Sequence, residues 1–247
     1  MNSLKRAVKY QYSDLIKSAV TFWLVILFLD IVSYLSFKYS GGSFIGITIN
    51  GFTSSTEPIN WFVTIAGSNL LPIFVFLIVH CYIMYYEHFP VALNFSVTRS
   101  DFYASALIDN ISAALIFSAV QSILMKADAF LMGSMENYVL FYNNFDNIPA
   151  LFISLFICFL FIMSFVNFLA AMNYKYGYKL WIVIGALFVL LSMSSMLDSI
   201  TLSGIIASIF TTKINPDKAL KLMIAAAALY LGGYPAIYFA EIKSRLV

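Results

Sequence analysis

Few residues in this chain could do chemistry. There are two histidines, His80 and His88, two cysteines, Cys81 and Cys158, and a few carboxylates, Asp30 and Asp109 among them, set inside apolar runs. The histidines are eight residues apart around an exit from such a run, which is poor geometry for a metal pair on one helix face. Neither H-E-x-x-H nor G-x-S-x-G occurs, so the sequence offers no metal centre and no catalytic residue, and the expectation is that the protein is not an enzyme. The phosphate-cradling loop G-x-x-x-x-G-K-[ST] is missing too, so any ATP consumed must be hydrolysed on another polypeptide. Both thiols lie in apolar surroundings, where cysteine acts as a small hydrophobe.

The elements that carry these groups follow from composition. The chain has 247 residues, 62% hydrophobic and 11% charged, with a mean hydropathy of +0.88. A soluble domain would carry about 25% charged side chains, so this chain lacks the polar surface for a water-facing shell and reads as a membrane protein. A net charge of +2 with no basic stripe beyond residue 17 argues against a nucleic-acid partner. A helix needs about twenty apolar residues to cross about 30 Å of hydrocarbon. Six segments qualify: Ser18–Phe37, Asn60–Tyr86, Phe102–Met125, Pro149–Ala171, Leu180–Leu197 and Ala219–Ala240. Backbone amides in lipid must be satisfied within the segment, so the expected fold is all-α and polytopic, a single transmembrane domain of six spans over residues 18–240. The first run is long and lacks an A-x-A-like end, and reads as a retained span.

With the amino terminus inside, the inner side holds Lys5, Arg6, Lys9, Lys17, Arg99, Lys175, Lys179, Lys243 and Arg245, against Lys38, Lys126, Lys213, Lys218 and Lys221 outside. The positive-inside rule favours this orientation, with both termini and the tail at residues 241–247 cytoplasmic. Residues 1–17 place Leu4, Ala7, Val8, Tyr12, Leu15 and Ile16 on one face and Arg6, Lys9, Ser13 and Lys17 opposite, the pattern of an amphipathic helix lying in the headgroup layer. Ser43–Ile49 followed by Asn50-Gly51 is patterned as a hairpin, with a loose loop as the alternative. The outward loop Lys126–Ile148 carries Tyr138, Phe141, Tyr142 and Phe145, which suit an interface. Ser199–Phe210 is apolar but too short to span, as a re-entrant or interfacial segment would be.

Ionisable residues inside spans are functional candidates because they are costly there. Asp30 sits in the outer half of the first span, to line a cavity or to bond Ser33 or Tyr34. His80, about 10 Å before the inner end of span two, and Asp109, about 10 Å into span three, reach matching depths on one hairpin, so a contact between them is expected, with two unrelated polar residues as the alternative. Gln121, Asn69 and Asn167 suit bonds between helices, and Pro72 a kink.

The most telling stretch joins spans two and three. Thr98-Arg99-Ser100-Asp101 reads as a capping box starting span three, with Thr98 covering free amides and Asp101 reaching back. Pro90 is placed to open a short helix from Val91 to Phe95, presenting Phe89, Leu93 and Phe95 as apolar knobs for a docking partner or for the bilayer interface. With six spans and an amphipathic start, Ala92-Leu93-Asn94-Phe95-Ser96-Val97-Thr98-Arg99-Ser100-Asp101-Phe102-Tyr103 resembles the membrane subunits of type 2 ABC exporters, notably the bacterial permeases that export phenol-soluble modulin peptides. The layout covers the whole chain and the motif about twelve residues; Asn94 stands where many relatives have a glycine-rich approach to Thr-Arg.

That resemblance implies a permease in the bacterial plasma membrane that binds no cofactor itself and uses ATP and Mg through two copies of an ABC ATPase subunit. It implies a second permease copy or a related permease, and an outer gate at Ser199–Phe210. The implied coupling residues are Glu87, His88, Phe89, Pro90, Leu93, Phe95, Thr98, Arg99 and Asp101. The translocation pathway candidates are the intramembrane polar residues Asp30, His80, Asp109 and Gln121. Spans rich in Phe and poor in charge suit a hydrophobic or amphipathic peptide cargo. The alternatives are an ATP-independent proton- or ion-coupled transporter, with Asp30, His80 and Asp109 as its sites, and a non-transporting immunity or sensor subunit.

Overall fold

The computed structural model describes residues 3–40, 65–132, 148–193 and 216–240, all of which lie in helices or in the short turns between them. The helices are α1 (Ser3–Ser40), α2 (Ile65–Ser68), α3 (Leu70–Ile83), α4 (Phe89–Asn94), α5 (Arg99–Met132), α6 (Ile148–Tyr176), α7 (Tyr178–Met193) and α8 (Pro216–Tyr238). A π-helical turn, Met84–His88, joins α3 to α4. Five stretches are long and apolar enough to cross a membrane: Ser3–Ser36, Ile65–Asn94, Arg99–Asp128, Ile148–Tyr176 and Pro216–Tyr238. Large apolar side chains such as Leu24, Phe28, Val183, Ile224 and Leu231 point outward, which is stable only where the surrounding solvent is hydrocarbon. The chain has the multi-pass helical character of a membrane protein. Of the expected span Leu180–Leu197, α7 accounts for residues up to Met193. The hairpin at Ser43–Ile49, the segment Ser199–Phe210, the loop aromatics and the tail lie outside the described residues.

The amino-terminal segment differs from expectation. Residues 3–17 are not a separate helix, because α1 runs unbroken to Ser40 with neither Gly nor Pro to interrupt it. The reason lies in its buried stripe: Ala7, Gln11, Leu15, Ala19, Trp23 and Ile26 recur every three or four residues, so one face continues across Lys17 and seats on protein. Tyr12, expected on the apolar face, is exposed, as are Lys5, Arg6, Lys9 and Lys17. The Ser3 hydroxyl donates to Asp101 and Trp23 packs on Phe117 with ring centroids 5.3 Å apart, so α1 and α5 run parallel.

Span two is longer than the sequence suggested and has two irregularities, each explained by a proline. At Asn69 the helix breaks between α2 and α3, one turn before Pro72, whose missing N–H and bulky ring disturb that turn as expected. Near Pro90 an α-helix would drive the ring into the Tyr86 carbonyl. The wider π turn, in which the Phe89 amide donates to Met84 O, relieves this and carries the helix on to Asn94. Pro90 therefore sits in the first turn of α4 inside a continuous rod, rather than opening a new helix in a loop. At 1.5 Å per residue, Ile65–Asn94 is about 45 Å long, well beyond about 30 Å of hydrocarbon.

The connection to α5 is a Schellman turn. Val97 N–H donates to Ala92 O (3.1 Å) and Ser96 N–H to Leu93 O (3.0 Å), with Ser96 at φ 56°. Ala92 and Val97 are both buried, as this motif's hydrophobic contact requires. Arg99 donates to Tyr238 O and Ser100 Oγ lies 2.9 Å from the Tyr234 hydroxyl, which ties the turn to the end of α8. At the same end α6 passes into α7 through Gly177, whose φ of 61° gives the left-handed turn that glycine tolerates. The start of α1, the α4–α5 turn, Gly177 and the end of α8 thus share one end of the bundle, called the amino-terminal end below. Within the bundle α6 is central, packing on α8, α5 and α3, while α1 lies along α5.

Candidate functional site: a polar layer between two apolar clusters

Two apolar clusters fill the bundle. One includes Leu15, Trp23, Leu77, Cys81, Ala113, Phe117 and Phe159; the other, nearer the amino-terminal end, includes Met84, Phe89, Ala106, Phe102, Ala170 and Ile237. Where they meet, α5 and α6 each supply an amide: Asn110 lies between Ala106 and Ala113, and Asn167 between Val166 and Ala170. These side chains meet because helices spaced by alanines approach closely and a buried amide must find partners.

Asn167 is the hub. Its Oδ1 accepts from the Tyr85 hydroxyl (2.7 Å) and from Asn110 Nδ2 (3.3 Å), and its Nδ2 donates to the Tyr103 hydroxyl (3.4 Å). Tyr103 and Tyr230 then form a reciprocal clasp. Each hydroxyl donates to the other's backbone carbonyl, at 2.6 Å for Tyr230 to Tyr103 O, with the rings 4.6 Å apart. The clasp depends on Gly233, where an added Cβ would lie 2.6 Å from the Tyr103 hydroxyl. This network joins the π turn, α5, α6 and α8. Sequence reasoning singled out Asn167 for a bond between helices but missed Tyr85, Tyr103 and Tyr230, because tyrosine in an apolar run gives no signal of its own, and passed over Asn110, which carries the same signal as Asn167.

The expected pairing of His80 and Asp109 is present: His80 Nε2 lies 2.6 Å from Asp109 Oδ2, both side chains are buried, and Phe76 stacks parallel to the imidazole at 6.0 Å. His88 lies on the same side of the bundle, its Nε2 3.4 Å from Asp14 Oδ2 and its ring edge-on to Tyr10 at 5.2 Å. At the opposite end Asp30 accepts from Asn69 Nδ2 (2.8 Å), where the sequence had offered either a cavity-lining role or a bond to Ser33 or Tyr34. There Gln121 Nε2 donates to Ala66 O (2.6 Å) and the Ala66 amide to Asp128 (3.2 Å), so α1, α2 and α5 are tied by polar groups near the Asn69 break. Asp30 and Gln121 therefore sit apart from His80 and Asp109; the four do not form one site.

The coupling candidates divide in two. Phe89, expected as an exposed knob, is 0% exposed, wedged against Phe102 (4.9 Å) and Tyr174 (5.3 Å), because the π turn rotates it inward. His88 is buried with it, and Leu93 and Pro90 are partly covered. Phe95, by contrast, is 66% exposed at the tip of the turn, and Glu87 and Thr98 are exposed too. The Thr98 half of the capping box is present, its Oγ1 accepting from the Asp101 amide at 3.1 Å. The Asp101 carboxylate does not reach back; it takes the Ser3 hydroxyl and so holds the start of α1 against α5.

Among the described residues no group of three or more His, Cys, Asp or Glu could hold a metal ion. The chain matches no family model, and no curated protein or solved structure shows significant similarity to it.

Proposed function

We propose that this chain is the permease subunit of an ATP-driven exporter, working as two copies or with a related chain, and that a separate ATPase docks on the α4–α5 turn. The observation that carries the reading is Phe95: a large apolar side chain exposed at the tip of a turn whose flanks are fixed. Among the described residues no ring or apolar cluster takes up that side chain, whereas a partner's pocket would. The turn caps a rod about 45 Å long, so displacement at Phe95 is delivered to His80, the π turn and the Asn69 break without a flexible joint. Exposed Lys5, Arg6, Lys9 and Lys179 gather at the same end, which favours the cytoplasm for it and anionic lipid around it. Hydrophobic or amphipathic peptides are the proposed cargo, and ATP with Mg belongs to the partner.

The test is co-purification with ATPases encoded by neighbouring genes, followed by peptide transport into inverted vesicles. A stable complex lost on Phe95→Ser supports the reading; a complex and an ATPase rate indifferent to that change overturn it. A second reading, transport driven by protons, is favoured by the buried His80–Asp109 pair. Flux that persists without nucleotide and collapses with the proton gradient would select it.

A further inference from the structure

We propose that the seam between α1, the α3–π rod and α5 holds a short file of bound water that carries protons from the amino-terminal surface to Asp109. The inference rests on neither transport reading, since either kind of permease could use such a relay.

Six buried side-chain polar atoms among the described residues have no hydrogen-bond partner, and four of them belong to this seam: Gln11 Nε2, Gln11 Oε1, His88 Nδ1 and Asp109 Oδ1. Gln11, His88 and Asp109 are 2%, 5% and 2% exposed. A buried amide with both ends unpaired is expensive, and more so in hydrocarbon, so such groups are normally met by water. Their placement is set by the packing. The register of α1 on α5, Ser3 by Asp101 and Trp23 by Phe117, puts Gln11 beside the stretch of α5 that carries Asp109. Gln11 is also one turn from Asp14 on the face of α1 that meets His88.

The charges are arranged in sequence. Asp14 is half exposed at the surface and touches His88 Nε2, and the opposite ring nitrogen of His88 faces the interior. Asp14, Glu87, His80 and Asp109 all lie within electrostatic range of His88. Cys81, Tyr82, Tyr85 and Tyr86 are the other titratable groups on the rod between the two histidines, Tyr10 of α1 lies edge-on to His88, Tyr230 of α8 is within electrostatic range of Asp109 and of Tyr103 on α5, and the one charged side chain of α6, Lys175, lies instead against the Tyr176 and Phe239 rings. A proton taken from hydronium at Asp14 leaves water behind, binds His88 Nε2, and leaves from Nδ1 to a water held by Gln11. A proton from that water reaches Asp109 Oδ1, the oxygen that His80 does not occupy. The charge gained by the His80–Asp109 pair equals the one removed from solution.

The test is infrared difference spectroscopy after a pH jump on the full-length protein in lipid nanodiscs, the carboxylic acid band being assigned to Asp109 by its loss in Asp109→Asn. We expect the band to rise on acidification, to the same final amplitude but about tenfold more slowly in Gln11→Leu and in His88→Phe, for want of a bridging water. Unaltered rates in both variants, or no Asp109 band across the pH range in which the protein stays folded, would overturn the proposal. Radiolytic hydroxyl labelling of the unmodified protein gives an arm free of folding effects. Buried Met84, one turn from both His80 and His88 on the rod, should be labelled by nearby bound water, and its full protection would count against it. Neither measurement involves nucleotide or cargo, so failure here leaves the transport reading to be judged on its own experiment.

Discussion

His80 Nε2 and Asp109 Oδ2 stand 2.6 Å apart in the middle of a helical hairpin, with Phe76 stacked on the open face of the imidazole. Removing one partner leaves the other buried and uncompensated, whereas removing both leaves an apolar contact. Asp109→Leu and His80→Phe should each destabilise the protein by about 3–5 kcal/mol. The double variant should cost less than the larger single change. Reversible unfolding in mixed micelles measures this, and additive losses would show that the pair has no coupling energy.

The clasp between Tyr103 and Tyr230 makes a sharper prediction, because it leaves no room at Gly233. Gly233→Ala should displace the Tyr103 hydroxyl, break its bonds to Tyr230 O and Asn167, and cost about 1–2 kcal/mol, since hydrogen bonds between membrane helices are worth about 0.6 kcal/mol on average. In a Tyr103→Phe background the same change should cost much less, the obstructing atom being gone. Gly232→Ala, whose Cβ meets only Phe168 at 3.5 Å, should be neutral or slightly stabilising. Thermal midpoints of the four variants in one detergent decide the matter.

Ser96 holds the αL position of a Schellman turn that glycine would occupy without strain. Ser96→Gly should stabilise the hairpin by about 0.5–1 kcal/mol, and Ser96→Val should destabilise it by more than that, because a β-branched residue resists φ near +56°. Hydrogen exchange of the Val97 amide, which bonds Ala92 O, reports the turn directly. Exchange slowed by valine would contradict the turn geometry.

How much of this was readable in advance depends on what sets each feature. Helical spans follow from backbone satisfaction in lipid, so runs of apolar residues located five of them. The depth match of His80 and Asp109 followed from counting 1.5 Å steps along a hairpin. What escaped was rotational phase. A π turn inserts one extra residue per turn, and that shift moves Phe89 from the outside to the core while leaving Phe95 exposed. No composition signal at Met84–His88 announces it; the cue is Pro90, whose clash with an α-helical Tyr86 carbonyl needs relief. The amphipathic pattern of residues 3–17 was legible, but a stripe read from one segment alone does not say whether lipid or protein covers it. That answer came from the stripe continuing in phase to Ile26.

The same phase shift separates docking from folding at the α4–α5 turn. Phe89→Ser removes a ring wedged between Phe102 and Tyr174 and should cost about 3–5 kcal/mol, lowering the yield of folded protein whatever partner is present. Phe95→Ser removes a largely exposed ring and should leave the stability within about 0.5 kcal/mol of the unmodified protein. If an ATPase grips this turn, Phe95→Ser should weaken its binding by about tenfold or more, the cost of losing an aromatic anchor. Titration of labelled ATPase onto the protein in nanodiscs, run beside the melting curves, separates the two effects. Equal loss of binding in both variants with equal loss of stability would mean that the turn serves the fold and has no docking role.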